Sequence, residues 1–235
     1  MDRPRVSAMM RPEERRYLVT WCAMLSFLNK YAKNHVYSQN GEEGILAECQ
    51  KRGIGIYHCI EIGGHDGRFC SNTAWVIESD IRVVTGLFVE SNYDRYLQCK
   101  SNWAHNANVR SQCCYVNEKN INAFVNDGCD LLSLDTDGSD FKIFCGMEAR
   151  PKIVIVEIDS SIEPPSEQFN ADGAAGYWSM TVAALERGYF VLCHTGNLVL
   201  IRQDYAHLFP ECTPHPLLEW ELCFNRGWLK EGTKR

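Results

Sequence analysis

Between Tyr57 and Asp159 the chain alternates between two hydrophobic patterns. Short apolar runs of strand type fall at Tyr57–Gly63, Val83–Glu90, Val109–Val116, Asp130–Asp137 and Lys152–Asp159. Between them, Asn72–Ser79, Asp94–Trp103, Lys119–Asn126 and Phe141–Met147 carry helical patterns. Strands alternating with helices predict a parallel sheet covered on both faces. The last third breaks this rhythm. Trp178–Arg187 reads as a helix stopped by Gly188, and the apolar runs Tyr189–His194 and Leu198–Gln203 flank Thr195-Gly196-Asn197. A Gly-Asn turn between apolar runs predicts a β-hairpin. An antiparallel pair therefore follows five parallel strands.

The flanks differ from this centre. Glu13–Lys33 has neither Gly nor Pro and spaces Tyr17, Trp21, Leu25 and Leu28 three or four apart. That is a helix pattern, packed on the domain or lidding its site. Tyr37–Gly44 is a polar turn before a second helix, Ile45–Lys51. Glu42 and Glu43 fit either a helical first turn, where they complement the dipole, or a ligand contact. Pro210, Pro214 and Pro216 predict an irregular tail. The expected organisation is an N-terminal helical segment over 1–36, an α/β core over 37–208 and an irregular extension over 209–235.

Composition narrows the function classes. The 235 residues suffice for one large domain or two small ones. The net charge is −6 and the basic residues are scattered, which argues against nucleic acid as a partner. No apolar run approaches the roughly 18 residues of a membrane span. Twelve cysteines lie mostly within strand-like runs, without a C-x-x-C pair, so a structural zinc site is not expected. Met1–Arg16 is charged and does not read as a secretory leader. The expectation is a cytoplasmic protein with reduced core thiols.

Tyr57–Arg68 is a strand running into a glycine-rich loop, and Ser71-Asn72-Thr73 then opens a helix. Such a turn lets a ligand approach the backbone, with helix N–H groups at hand. The carboxyl ends of the parallel strands read Gly63-Gly64, Glu90, Val116-Asn117, Asp135-Thr136-Asp137 and Glu157-Ile158-Asp159, an acidic edge. Glu90 can accept both hydroxyls of a ribose, as an acid does in nicotinamide enzymes too. The loop separates the cofactors. A dinucleotide site wants G-x-G-x-x-G. Here His65 stands where the second glycine belongs, in Gly63-Gly64-His65-Asp66-Gly67. A phosphate-free nucleoside with a charged amino-acid end tolerates this loop better, and Glu61 and Asp66 could receive its ammonium.

Cys59-Ile60-Glu61-Ile62-Gly63 resembles the first motif of class I methyltransferases. Three stretches in order are similar to FkbM-like methyltransferases: Ser38-Gln39-Asn40-Gly41-Glu42-Glu43-Gly44, Glu61-Ile62-Gly63-Gly64-His65-Asp66-Gly67 and Ser71-Asn72-Thr73. So is Leu132-Ser133-Leu134-Asp135-Thr136-Asp137-Gly138-Ser139-Asp140-Phe141, followed by Val154-Ile155-Val156-Glu157. The match runs over roughly 37–204. It implies a Rossmann-like, mostly parallel sheet of seven strands with the last antiparallel. It also implies S-adenosylmethionine as donor and O-methylation of a sugar or glycan acceptor. The expected cofactor contacts are Gln39, Glu43, Glu61, Gly63, Gly64, His65, Asp66, Gly67, Ser71, Asn72, Thr73, Glu90, Ser91, Asn117 and Asp135.

The acidic cluster Asp135, Asp137, Asp140, Glu157 and Asp159 admits three readings. Asp137-Gly138 is a good turn, and Ser139 or Asp140 a good cap. Asp135 or Asp137 is alternatively a catalytic base. Thirdly, Asp135, Asp137 and Glu157 hold Mg²⁺ or Mn²⁺, as a resemblance to metal-dependent catechol-type O-methyltransferases implies; hard oxygen ligands suit those ions. His194, beside the hairpin turn, is a further candidate base or an incidental turn residue. Two rival classes stay open: a nicotinamide oxidoreductase and a non-catalytic nucleoside-binding module.

Overall fold

A computed structural model describes residues 36–79, 83–162 and 166–212, with Phe27 and residues 30–32 ahead of them. Most of the expected N-terminal helix, and the tail beyond Cys212, lie outside the described residues.

The elements follow in the order α1 (Glu42–Lys51), β1 (His58–Ile62), α2 (Ala74–Ser79), β2 (Thr85–Glu90), α3 (Tyr93–Asn102) and β3 (Val109–Cys113). After them come β4 (Leu131–Leu134), α4 (Asp140–Gly146), β5 (Ile153–Glu157), α5 (Tyr177–Glu186), β6 (Tyr189–His194) and β7 (Asn197–Arg202). The strands form one sheet in the order β3-β2-β1-β4-β5-β7-β6. Pairings from β3 through β5 are all parallel. β7 lies between β5 and β6 and is antiparallel to both. The hairpin is thus antiparallel as expected, but only β7 is reversed, and β6 runs with the first five strands. The result is a Rossmann-like α/β fold: a mostly parallel seven-stranded sheet with one reversed strand.

Burial explains the order. Every residue of β4 and β6 is buried, and β5 is buried from Ile153 to Val156, so near-continuous apolar runs fill the centre and the hairpin side. β3, with the sequence VRSQC, has no buried residue and takes the opposite edge. Among the described residues, no helix is long and apolar enough to cross a membrane. Burial pushes the thiols of Cys99 and Cys129 up to about 12, so they stay protonated core groups.

Two local expectations need correction. Lys119–Asn126 does not form an α-helix; only a 3₁₀ turn at Ile121–Ala123 appears. Asn120 Oδ1 accepts from Asn117 N at 2.8 Å and Asn117 Oδ1 from Lys119 N at 2.9 Å, so asparagine side chains capture the backbone that a helix needs. The second helix begins at Glu42, three residues earlier than expected, and Glu42 and Glu43 are fully buried. Glu43 accepts from the backbone N–H groups of Tyr37 and Ser38, each at 2.7 Å. Glu42 accepts from Asn40 N at 2.9 Å and from Thr195 Oγ1 at 2.6 Å. These two acids therefore clamp the 36–40 segment and the hairpin turn to the start of α1.

At the other end of α1, Arg52 gathers both flanks. Its guanidinium pairs with Glu48 at 2.8 Å and Glu211 at 2.6 Å, and lies over the rings of Phe27 and Phe209 at 5.3 and 4.8 Å. Phe209 and Cys212 are fully buried, so the chain just past β7 belongs to the core.

Candidate active site

The site is built at the carboxyl ends of β1, β2, β4 and β5, beginning with the glycine loop. Gly63 has φ 82, and a Cβ there would stand 1.6 Å from the carbonyl oxygen of Asp135. Only glycine lets β1 turn away so close to β4. Gly67 serves packing instead: a Cβ would meet the indole of Trp103 at 2.6 Å, and that indole donates to the Gly67 carbonyl at 2.9 Å.

The loop's own N–H groups are largely engaged. Gly63 and Gly64 both donate to the Val89 carbonyl, at 2.9 and 3.2 Å, and Gly67 to that of Gly64 at 2.7 Å. His65 N donates to Glu90 Oε2 at 2.8 Å. Arg68 N and Phe69 N donate to Asp66 Oδ1 at 2.9 and 2.7 Å. The start of α2 is closed in the same way. Asn72 N and Thr73 N reach Glu61 at 3.3 and 3.1 Å, and Ala74 N reaches Ser71 Oγ at 3.0 Å. The free helix N–H groups expected from the sequence are therefore capped internally.

Glu61 is buried and also accepts from the hydroxyls of Ser71 and Thr73. Burial pushes its carboxyl up to about 7, against the pull of those hydrogen bonds. Glu90, 6% exposed, receives one backbone N–H on each oxygen: His65 N on Oε2 and Asn92 N, at 2.7 Å, on Oε1. The Ser91 hydroxyl reaches Oε1 as well, at 3.4 Å; a carboxylate has about four acceptor positions, so Glu90 keeps capacity for a further donor.

The β4 and β5 ends carry the acidic cluster. Asp135, Asp137 and Glu157 each present a carboxylate oxygen, and these oxygens lie within 4.8 Å of one another. Burial, and then the negative charge of Asp135, raise the Glu157 carboxyl far above the usual carboxylate range. Asp140 has a structural task. Its carboxylate accepts from Thr136 N at 2.7 Å and Gly138 N at 3.2 Å, closing the turn that presents Asp135 and Asp137. Burial first, and Asp135 second, push its carboxyl up to about 6. Asp159 stands apart, holding Ser161 N at 2.8 Å and Asn170 Nδ2 at 2.9 Å.

These elements enclose a cavity of about 810 Å³. Of the residues expected from the sequence, Gln39, Glu61, Gly63, His65, Asn72, Glu90, Ser91, Asp135, Asp137 and Glu157 line it. Glu43, Gly64, Asp66, Gly67, Ser71, Thr73 and Asn117 do not. His194 is also outside the lining: it is buried, with Nε2 2.8 Å from Ser160 Oγ and its ring against Tyr177. Sequence reasoning missed Arg95, Cys114, Tyr115 and the turn residues Gly196 and Asn197, which also line the cavity. Asn197 pairs with Glu157 in the β5–β7 register. That pairing, with the Glu42 bonds to Thr195 and Asn197, brings the hairpin tip to the site.

No family model matches the sequence, and no curated protein matches it. Solved structures do. A SAM-dependent methyltransferase from Aquifex aeolicus is similar at 11% identity, over 82% of this chain and 99% of its own, with a TM-score of 0.46. A ribosomal protein L11 methylase from Lactobacillus delbrueckii subsp. bulgaricus is similar at 12% identity, over 67% of this chain and 76% of its own, with a TM-score of 0.45. A S-adenosylmethionine-dependent methyltransferase from Clostridium acetobutylicum is similar at 12% identity over 48% of this chain, which spans 47% of its length, with a TM-score of 0.36. At such identities the likeness is one of fold.

Proposed function

We propose that this chain is an S-adenosylmethionine-dependent methyltransferase acting on a hydroxyl of a sugar or glycan, assisted by a divalent cation. One observation carries the donor. Most N–H groups of the glycine loop and the α2 start are engaged internally, so the loop offers no nest for a pyrophosphate. The lining is rich in acceptors: Glu90 with its spare acceptor capacity, and the carboxylates of Asp135, Asp137 and Glu157. A ligand with many donors and no phosphate fits this lining, and S-adenosylmethionine is one. A nicotinamide dinucleotide fits it poorly.

The donor's sulfonium supplies an electrophilic methyl group. The protein's part is alignment and proton management. Glu90 would hold the ribose, and the loop from Gly63 to His65 would bound the nucleoside. A sugar hydroxyl is a poor nucleophile near neutral pH and needs a base or a Lewis acid. Asp135, Asp137 and Glu157 are a hard oxygen set suited to Mg²⁺ or Mn²⁺. Burial and the charge of Asp135 raise the Glu157 carboxyl, and a cation there would keep it ionised. The sugar acceptor comes from the sequence resemblance alone.

A thermal melt with S-adenosylhomocysteine, with NAD and without ligand tests the donor. Stabilisation by S-adenosylhomocysteine alone is expected, about 2.7 kcal/mol at 100 times its dissociation constant. Stabilisation by NAD alone would move the chain to the oxidoreductases, and by neither would remove the nucleoside site. Transfer of labelled methyl to candidate glycans, with and without Mn²⁺ or Mg²⁺, then tests the acceptor and the cation.

A further inference from the structure

The two edges of the sheet are built differently. β6 is buried along its whole length, whereas β3 has no buried residue, and its Arg110, Gln112 and Cys113 are exposed. Among the described residues no strand pairs with the outer side of β3. Little in Val109–Cys113 protects that side: it holds no Pro, Lys or Gly, and its pairing with β2 runs without a bulge. The ladder shows which backbone groups face outward. The Asn108 carbonyl accepts from Gly86 N, and Cys114 N donates to the Glu90 carbonyl, each at 3.0 Å. Alternate residues of a strand bond to the same neighbour, so Arg110 and Gln112 serve β2, and Val109, Ser111 and Cys113 turn their N–H and C=O groups away from it. Val109 N is engaged by the Asn106 carbonyl at 3.1 Å; Ser111 and Cys113 have no backbone partner for either group among the described residues.

We propose that this edge pairs with β3 of a second copy of the chain, antiparallel and centred on Ser111, joining the two sheets into one. Centred there, all three outward residues meet outward partners: Ser111 faces the partner's Ser111, and Val109 faces the partner's Cys113. About four backbone hydrogen bonds then cross the axis. The side chains agree with this register. Val109 and Cys113 make an apolar pair on one face, and on the other the exposed Arg110 can donate to the amide oxygen of the partner's Gln112. Centring on Arg110 would set two guanidinium groups against each other, and centring on Gln112 would leave Val109 without a strand partner. α3 packs on β2 and β3 and leaves Tyr93 and Leu97, one turn apart, 63% and 43% exposed. They add apolar surface beside an edge that is otherwise small for a stable contact. The same register brings Asn108 of the partner subunit opposite Cys114, which lines the cavity with Tyr115, so the second copy reaches the rim of the site.

Sedimentation equilibrium of the full chain over a concentration series tests the pairing. A reversible dimer is expected. Ser111→Pro should leave only monomer, because it removes an N–H that serves the second copy and not β2, and proline is tolerated on an edge strand in that orientation. An unchanged circular dichroism spectrum shows that the variant is folded. Two substitutions at the exposed Gln112 test the register. Gln112→Arg sets like charges opposite Arg110 and should weaken the dimer about five-fold or more, since the axis repeats the pair. Gln112→Glu supplies an opposite charge and should tighten it by a similar factor. If Ser111→Pro does not fold, these opposed shifts carry the test alone. A chain that stays monomeric through the series, a dimer that survives Ser111→Pro, or Gln112 variants that shift it in the same direction overturns the proposal.

Discussion

Replacing Gly63 by alanine should damage the fold more than any other small change in the glycine loop. The added Cβ would stand 1.6 Å from the Asp135 carbonyl oxygen, against 3.4 Å for ordinary contact, so that oxygen must recede by about 1.8 Å. The obstacle is backbone and cannot rotate away. Receding pulls β4 from β1 where Asp135 N donates to the Ile62 carbonyl at 3.0 Å. Losing that bond and leaving its buried groups unpaired costs about 2–3 kcal/mol. The left-handed backbone, at φ 82, adds about 1–2 kcal/mol for a residue with a Cβ. The sum, about 3–5 kcal/mol, is a large part of the 5–15 kcal/mol typical of a domain. Gly53→Ala is the matched control: φ is 102, but nothing lies within 4 Å of the new Cβ. Urea unfolding of both variants at 25 °C isolates the contact from the backbone term. A Gly63→Ala loss within about 1 kcal/mol of the Gly53→Ala loss would refute the claim that the β1–β4 approach requires glycine.

Other outcomes are equally specific. Glu90→Ala should weaken S-adenosylhomocysteine by about 1.5–3 kcal/mol in a binding titration, and unchanged affinity would take Glu90 out of the ribose site. Glu61 titrates at about 7 in the folded protein against an ordinary 4.5, so its contribution is full below pH 4.5 and is lost as pH rises through 7. Glu61→Gln cannot titrate; its stability deficit relative to the parent should shrink by up to about 3 kcal/mol between pH 4.5 and 7.5, and a constant deficit in urea melts would contradict the assignment. Chelation should abolish methyl transfer while leaving S-adenosylhomocysteine binding intact, and Asp135→Asn and Glu157→Gln should each reproduce that split. Full turnover in excess chelator would return the carboxylates to the role of direct base.

The alternating pattern made the central sheet legible because strands buried on both faces have no choice but to be apolar throughout, as in Leu131–Leu134 and Ile153–Val156. The 119–126 stretch misled because helical spacing says nothing of Asn117 and Asn120, whose side chains outcompete the helix locally. At the site, Glu90, Asn72 and the acidic strand ends were readable as polar residues placed where apolar runs stop. Glu43 was not. A buried glutamate that holds two backbone N–H groups looks, in sequence, like any acid in a helical first turn. Asn197 escaped for a different reason: a hairpin signal predicts that β6 pairs with β7, not which of the two lies against β5.

The position of β7 has a consequence for how the chain is made. β6 is synthesised first, yet among the described residues it pairs with no strand except β7. Until Asn197–Arg202 has left the ribosome, β5 therefore exposes an edge whose residues Ile153 to Val156 are all apolar, and β6 has nothing to pair with. An unpaired apolar edge invites association with other chains. Nascent chains stopped between residues 158 and 196 should bind chaperones or aggregate. Release of six more residues should close the sheet in one step.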